Sequence, residues 1–460
     1  MQTTIIFVYL AIVLFLGLWA GRGVKSIKDY ATAGKTFGAL VIFATLSASF
    51  IGGGFSTGNA EKVFLVGIAN IVALWGFSLK EVMVARFIAP RMERYPDAIS
   101  VGDIMEPHYG KGARIFSGVF GVLLCAGILG AQVGAMGYVF HLFMGVERET
   151  GIMLGCGIVI FYATIGGMRS VVWTDIFQFI ILAIGLPLTL YFGIQHAGGL
   201  DAVIQATPDA HRTLPTDPKA LLSLAALFVA FFLGETLVPP YVQRLLIGKN
   251  TKEIVRGTML SGLFSVPFFA ITGLIGLVAL ALNPELNANL ALPYVVQESL
   301  PPFFQGIVIA AIISIIMSSA DSFLNGAAIS FTNDIMRPLL KKELSSKKEL
   351  RIAQGVTLLV GVLSIVFALS ITSVLDILLY AYNFWAPTVL IPLAAAILGA
   401  YVSRKRLVIG ATAGIVAAIL WNLLDSPYGI DGLVIGALAN AAFFFTTDRK
   451  AARSANALKA

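Results

Sequence analysis

Charge is what this chain has least of. Only 12% of its 460 residues are Asp, Glu, Lys or Arg, while 58% are hydrophobic; a water-soluble domain carries roughly 25% charged residues. So few ionised groups cannot cover a water-exposed surface, which excludes a soluble globular fold. Cysteine is nearly missing as well. Cys125 and Cys156 sit inside apolar segments without zinc-ligand or disulfide-framework spacing, and read as small buried hydrophobes. The sequence has no His/carboxylate metal cluster, no GxSxG and no Cys/His arrangement, leaving an intramembrane enzyme nothing to work with. Alternating segments of about ten residues, the mark of a membrane β-barrel, are absent. The first four residues lack positive charge, and the apolar run Ile5 to Ala20 exceeds a signal-peptide core, so it reads as an anchor.

What the chain does have is long apolar runs. A bilayer core ~30 Å thick takes about 20 helical residues. Spans are expected near 4–21, 38–58, 64–84, 113–144, 149–166, 170–195, 220–244, 257–282, 302–335, 352–371, 374–400, 407–424 and 430–446. With the N-terminus outside, thirteen spans put the C-terminus inside. Of the 32 Lys and Arg residues, 28 then fall on the inner side; only Lys62, Arg148, Arg212 and Lys219 fall outside. This is the positive-inside bias, and it accounts for the net charge of +7 without nucleic acid as a partner. The lipid bilayer is the partner implied, in a plasma membrane of the bacterial inner-membrane kind, and no obligatory protein partner is evident.

Two spans carry sequence that breaks helices. The second contains Gly52-Gly53-Gly54, and each glycine costs ~1 kcal/mol in a helix interior. The seventh contains Gly234-Glu235-Thr236-Leu237-Val238-Pro239-Pro240, whose prolines remove two backbone donors. Close small-residue packing or a simple kink would account for either one alone. Together they lie five spans apart, where two inverted five-helix repeats would place corresponding breaks. The LeuT type is the reference case for such broken helices near the midplane. The expected organisation is an extra N-terminal helix and loop (1–36), a ten-helix inverted-repeat core (37–400), and two C-terminal helices with a short tail (401–460).

Intramembrane carboxylates are rare and usually functional. Asp175 lies in the sixth span, Glu235 in the seventh-span break and Asp321 in the ninth, among Ser318, Ser319 and Ser322. Ser318 and Ser322 share a helix face that Asp321 borders. Serines in membrane helices often only bond the carbonyl one turn back; beside an acid they point to a hard-cation site. Asp376, near a helix end, reads as solvated by the outer loop.

Three stretches resemble the sodium/solute symporter family: Ala48–Phe64, Gly166–Gln178 with its GG…WTD..Q pattern, and Met317–Arg337. The family's members carry sugars, proline, sialate, pantothenate, choline and iodide. The resemblance implies an all-α, LeuT-type fold with 5+5 inverted repeats, an additional N-terminal helix, and Na+ as coupling ion. It implies a principal sodium site of carbonyls from Ala48, Ile51 and Ile315 with the hydroxyls of Ser318 and Ser319. A second cation site, as in some members, falls on Asp175, Asp321 and Ser322 together with Ser318.

The glycine run, Tyr109–Lys111, Gln243–Leu246 and SSADS resemble the choline-transporter branch most. Choline recognition uses aromatic faces, yet the branch's tryptophans fall on Phe50, Ile128 and Val238, so a choline cage is not expected. Other pocket residues implied are Phe55, Gln132, Glu235, Tyr241, Tyr382, Asn383 and Trp385, although helix packing or an interface belt also accounts for the aromatics. The function expected is sodium-coupled symport of a small solute, whether amino acid, carboxylate, amine or sugar-like. Proton coupling through Asp321 or Glu235 is the alternative. A transporter-like sensor is the lesser one, because such proteins carry a signalling domain and this chain ends about a dozen residues after its last span.

Overall fold

A computed structural model describes residues 1–51, 53–340, 344–370, 382–383, 385–400 and 402–446. Regular structure among the described residues is helical throughout. Seven helices are long and apolar enough to cross a bilayer, or eight if one bent pair counts as a single span. The molecule is thus an all-helical, multi-span membrane protein. Asp376 and the first half of the expected eleventh span lie outside the described residues.

Helix α1 (Gln2–Gly21) turns Phe7, Phe15 and Trp19 outward and buries Ile6, Leu10 and Val13. Its Gly17 lies so close to Tyr162 that an added Cβ would come within 2.7 Å of that side chain. Small residues let membrane helices approach in this way.

The second span is two helices, α2 (Ala39–Phe50) and α3 (Gly53–Val66), with their axes bent by 51°. The bend falls between Phe50 and Gly53, at the start of the glycine run, and Gly53 already belongs to α3; the span runs on to Val66. The turn falls at Gly67 (φ 78°), and α4 (Ala69–Met83) starts five residues later than expected. Beyond it come α5 (Lys111–Met144) and a long helical stretch, α6 (Arg148–His196), broken at Gly167 (φ 50°, ψ −140°). An added Cβ at Gly167 would meet the Tyr30 carbonyl at 2.5 Å. That break separates the expected fifth and sixth spans.

The seventh span also divides, into α7 (Pro218–Leu233) and α8 (Pro239–Leu246). The two prolines open the first turn of α8, where no N–H is needed. Between the halves, Leu237 is forced to φ 54°. The start of the first broken span and the end of the second are joined: Phe37 N–H donates to the Ile247 carbonyl at 3.2 Å, and Lys249 N–H to the Phe37 carbonyl at 3.0 Å.

Helix α9 (Thr251–Leu282) packs against α2, α3 and α4. At the centre stands α10 (Pro302–Ile329), buried continuously from Val308 onward and apolar on every side except at its serines, Asp321 and Asn325. A helix apolar all round belongs inside a bundle. The chain continues through α11 (Ser346–Ser370), α12 (Ile391–Leu398), α13 (Arg404–Leu423) and α14 (Gly432–Phe444).

Two residues counted among the inner-side charges are not loop residues. Lys80 and Arg244 are fully buried within the helices. Each pairs with a carboxylate, the condition under which an ionised group survives burial.

Candidate functional site

Around the second-span break, four helices bring polar side chains into one buried cluster. Helix α2 ends at Phe50, so its last carbonyls run out of partners in a continuing helix. The Ser319 hydroxyl on α10 donates to the Ser49 carbonyl at 3.0 Å. The Ile51 carbonyl accepts from Ser56 Oγ at 3.1 Å. Ser318 Oγ donates to Asp175 Oδ1 at 2.5 Å and lies 3.1 Å from Ser49 Oγ. The end of α2 thus meets the middle of α10 through Ser49, Ser318 and Ser319; Ala48, Ile51 and Ile315 are buried on the same two segments, but the carbonyl that α10 contacts is that of Ser49 rather than Ala48.

Asp175 is wholly buried on α6. Its Oδ2 accepts from Thr45, from Ser49 at 3.2 Å and from Arg244 Nη2 at 2.9 Å. The Arg244 guanidinium also donates to the Thr45 carbonyl at 3.2 Å, the Pro240 carbonyl at 3.1 Å and Ser322 Oγ. A planar fork of five donors suits such multiple contacts. So the face shared by Asp175 and Ser322 already holds a positive charge, supplied by the protein.

Asp321 points elsewhere. Its Oδ2 accepts from Tyr162 at 2.5 Å and from Thr174 at 3.4 Å, and its Oδ1 lies 3.1 Å from Ser322 Oγ. With both carboxylates ionised, Asp175, Asp321 and Arg244 together carry one net negative charge.

A second cluster adjoins the first through Phe50. That ring meets Tyr241 edge-on at 5.3 Å, and the Arg244 guanidinium carbon lies 5.5 Å from its centroid. Lys80 Nζ sits 3.6 Å from the Phe77 centroid, 4.6 Å from Tyr241 and 5.8 Å from Phe50. Glu81 pairs with Lys80 at 2.7 Å and accepts from the Tyr241 hydroxyl at 3.0 Å.

The remaining pocket residues divide. At the seventh-span break, Tyr382 donates to Glu235 Oε1 at 2.6 Å, and Trp385 Nε1 donates to the Thr236 carbonyl at 3.1 Å. Phe55 belongs to a neighbouring ring cluster with Phe77, Phe231 and Phe269. Gln132 is buried on α5, and Asn383 hydrogen-bonds Asp431. Ile128 and Val238 are buried aliphatic residues, so the aromatic rings that meet Phe50 come from Tyr241 and Phe323.

Sequence reasoning missed Thr45, Ser49, Phe77, Lys80, Glu81, Tyr162 and Arg244. Its one usable signal was a Lys-Glu pair inside an apolar run, costly to leave unpaired in lipid.

The sodium:solute symporter family's sequence model matches residues 30–417. High-affinity choline transporter 1 of Drosophila melanogaster is 27% identical over 368 residues, 74% of this chain and 58% of that protein. A sodium/glucose cotransporter of Vibrio parahaemolyticus is 24% identical over 75% of this chain and 70% of its own. The high-affinity proline transporter PutP of Bacillus subtilis is 25% identical, over 73% and 74% respectively. The chain thus spans little more than half the length of the fly relative. Among solved structures, a Na+-coupled sialic acid symporter in a substrate-bound outward-open state superposes with a TM-score of 0.83. That match covers 96% of each chain at 21% identity, and the fold is accordingly LeuT-like.

Proposed function

The chain belongs to the sodium:solute symporter family, and from that membership we propose that it imports a small polar organic solute with sodium by alternating access. The observation that carries the reading is the Ser319–Ser49 contact. It ties the end of a broken helix to the hydroxyl-bearing face of α10, so carbonyl and hydroxyl oxygens meet where the backbone is shielded from lipid. Sodium, a hard cation, takes such oxygens. Bound among Ala48, Ile51, Ile315, Ser318 and Ser319, it would hold α2 against α10 and raise solute affinity by linkage. Release inside follows when the core rocks against its scaffold.

In this reading Asp175 and Ser322 do not need a second sodium. Arg244 stands as a fixed cation between them, and Asp321 leaves one negative charge for the transported ion to balance. Phe50, Tyr241, Glu235, Tyr382 and Trp385 border the solute at the two breaks, with Phe55, Gln132 and Asn383 around them. The thirteen-span arrangement with its N-terminus outside, the 37–400 core and a bacterial inner-membrane location complete the proposal.

Uptake into proteoliposomes tests it. A sodium gradient is expected to drive solute accumulation, while a proton gradient with potassium in place of sodium is not. Accumulation indifferent to sodium would sink the reading, and accumulation driven by pH alone would transfer the coupling to Asp321.

A further inference from the structure

Lys80 is the buried charge for which ion coupling has no use. An ammonium ringed by aromatic faces is how proteins hold quaternary amines, but here the guest is tethered to the chain itself. A cationic solute would have to displace it against like-charge repulsion. What the ammonium offers instead is donors. It has three N–H groups; the ion pair with Glu81 Oε1 at 2.7 Å engages one of them, and no hydrogen bond takes the others among the described residues. The other oxygen of Glu81 is committed to Tyr241.

The position is right for cargo. Helix α4 runs on through a π-helical turn to Ile88, and at 1.5 Å per residue from Ala69, Lys80 lies about 16 Å along that run, near the middle of a ~30 Å core. Its neighbours Phe50 and Tyr241 flank the breaks of the second and seventh spans, and discontinuous helices at that depth are where transporters hold solutes. Resting on the symport reading, we propose that Lys80 recognises the cargo: its ammonium takes the carboxylate of an organic acid or amino acid, and its seat among Phe50, Phe77 and Tyr241 bars quaternary amines.

The test uses purified full-length protein and thermal unfolding in sodium or in potassium. The probes are acetate, L-lactate, L-proline, N-acetylneuraminate, choline and D-glucose, with the methyl ester or amide of each acid that binds. At least one acid is expected to stabilise the protein in sodium, and its ester or amide to bind about tenfold more weakly or worse, as loss of a charge-assisted hydrogen bond implies. Choline and glucose are expected to have no effect. Sodium-dependent stabilisation by choline or glucose, equal binding of acid and ester, or no binding by any acid overturns the inference while leaving sodium symport standing. Stabilisation that is the same in potassium sinks the symport reading instead.

Lys80→Met combined with Glu81→Gln supplies a second readout, because the amide oxygen introduced in place of the Glu81 carboxylate can still accept from Tyr241. The emptied box is expected to lose the acid and gain choline. A folded double variant that keeps acid binding contradicts the assignment, and the wild-type acid–ester comparison decides the question even if that variant does not fold.

Discussion

Ser319 has a single hydroxyl and spends it on a carbonyl of the opposite broken helix. Ser319→Ala removes one oxygen from the proposed sodium shell and leaves helix α10 intact. Losing one such contact costs about 1–3 kcal/mol, so half-maximal uptake is expected to need about five- to a hundredfold more sodium. An unchanged sodium dependence would remove Ser319 from the site. Asp175 differs in kind, because its carboxylate is the counter-ion of a buried guanidinium. Asp175→Asn strands Arg244, and breaking a buried pair costs about 3–5 kcal/mol. The expected outcome is a clear fall in unfolding temperature as well as lost transport; wild-type thermal stability would mean that Arg244 had found another acceptor. Both residues were legible in the sequence because hydroxyls and acids are conspicuous among aliphatics. Lys80 and Arg244 were missed. Both were counted among the inner-side charges; the acid beside Lys80 was a signal in the sequence, whereas only the packing of helices reveals Asp175 as the partner of Arg244.

At the scale of elements, the breaks were legible and their joins were not. Triple glycine and paired proline mark the breaks: α2 ends just before the glycines, and α8 begins at the prolines. Yet the second span outlasted its apolar stretch, since α3 carries Asn59, Glu61 and Lys62 before it ends at Val66. Buried Asn59 is satisfied by the Phe269 carbonyl and Thr272, a tertiary partner that hydrophobicity cannot announce. Gly167 provides the element-scale test. Its left-handed backbone and the nearby Tyr30 carbonyl leave no room for a methyl group. Gly167→Ala is expected to cost about 1–2 kcal/mol from conformation alone, and more from the clash, read as a lowered unfolding temperature. A neutral substitution would show that the break between the fifth and sixth spans relaxes.

For the whole molecule, the symport reading makes stoichiometry a matter of charge balance. With Asp175 and Asp321 both ionised, two acids and one guanidinium leave room for one monovalent cation, and a Hill coefficient of about one is expected for sodium-activated uptake, because cooperative activation requires two linked sites. A coefficient near two would mean that Arg244 moves aside to admit another ion. The class of molecule followed from composition, and the LeuT-like fold from two breaks in register. The identity of the cargo did not follow, because its contacts come from side chains on separate helices whose sequence spacing says nothing about their separation in space.

The backbone bridge between Phe37 and Gly248 has a consequence for what mutagenesis can detect. Because main-chain atoms join the start of the second span to the end of the seventh, alanine scanning leaves the join untouched. Only a residue without an N–H cuts it. Phe37→Pro and Lys249→Pro each delete one of the two donors, and each is expected to slow turnover while Phe37→Ala and Lys249→Ala do not. A linkage written in the backbone is invisible to selection on residue type, so it can persist through divergence that erases every motif around it.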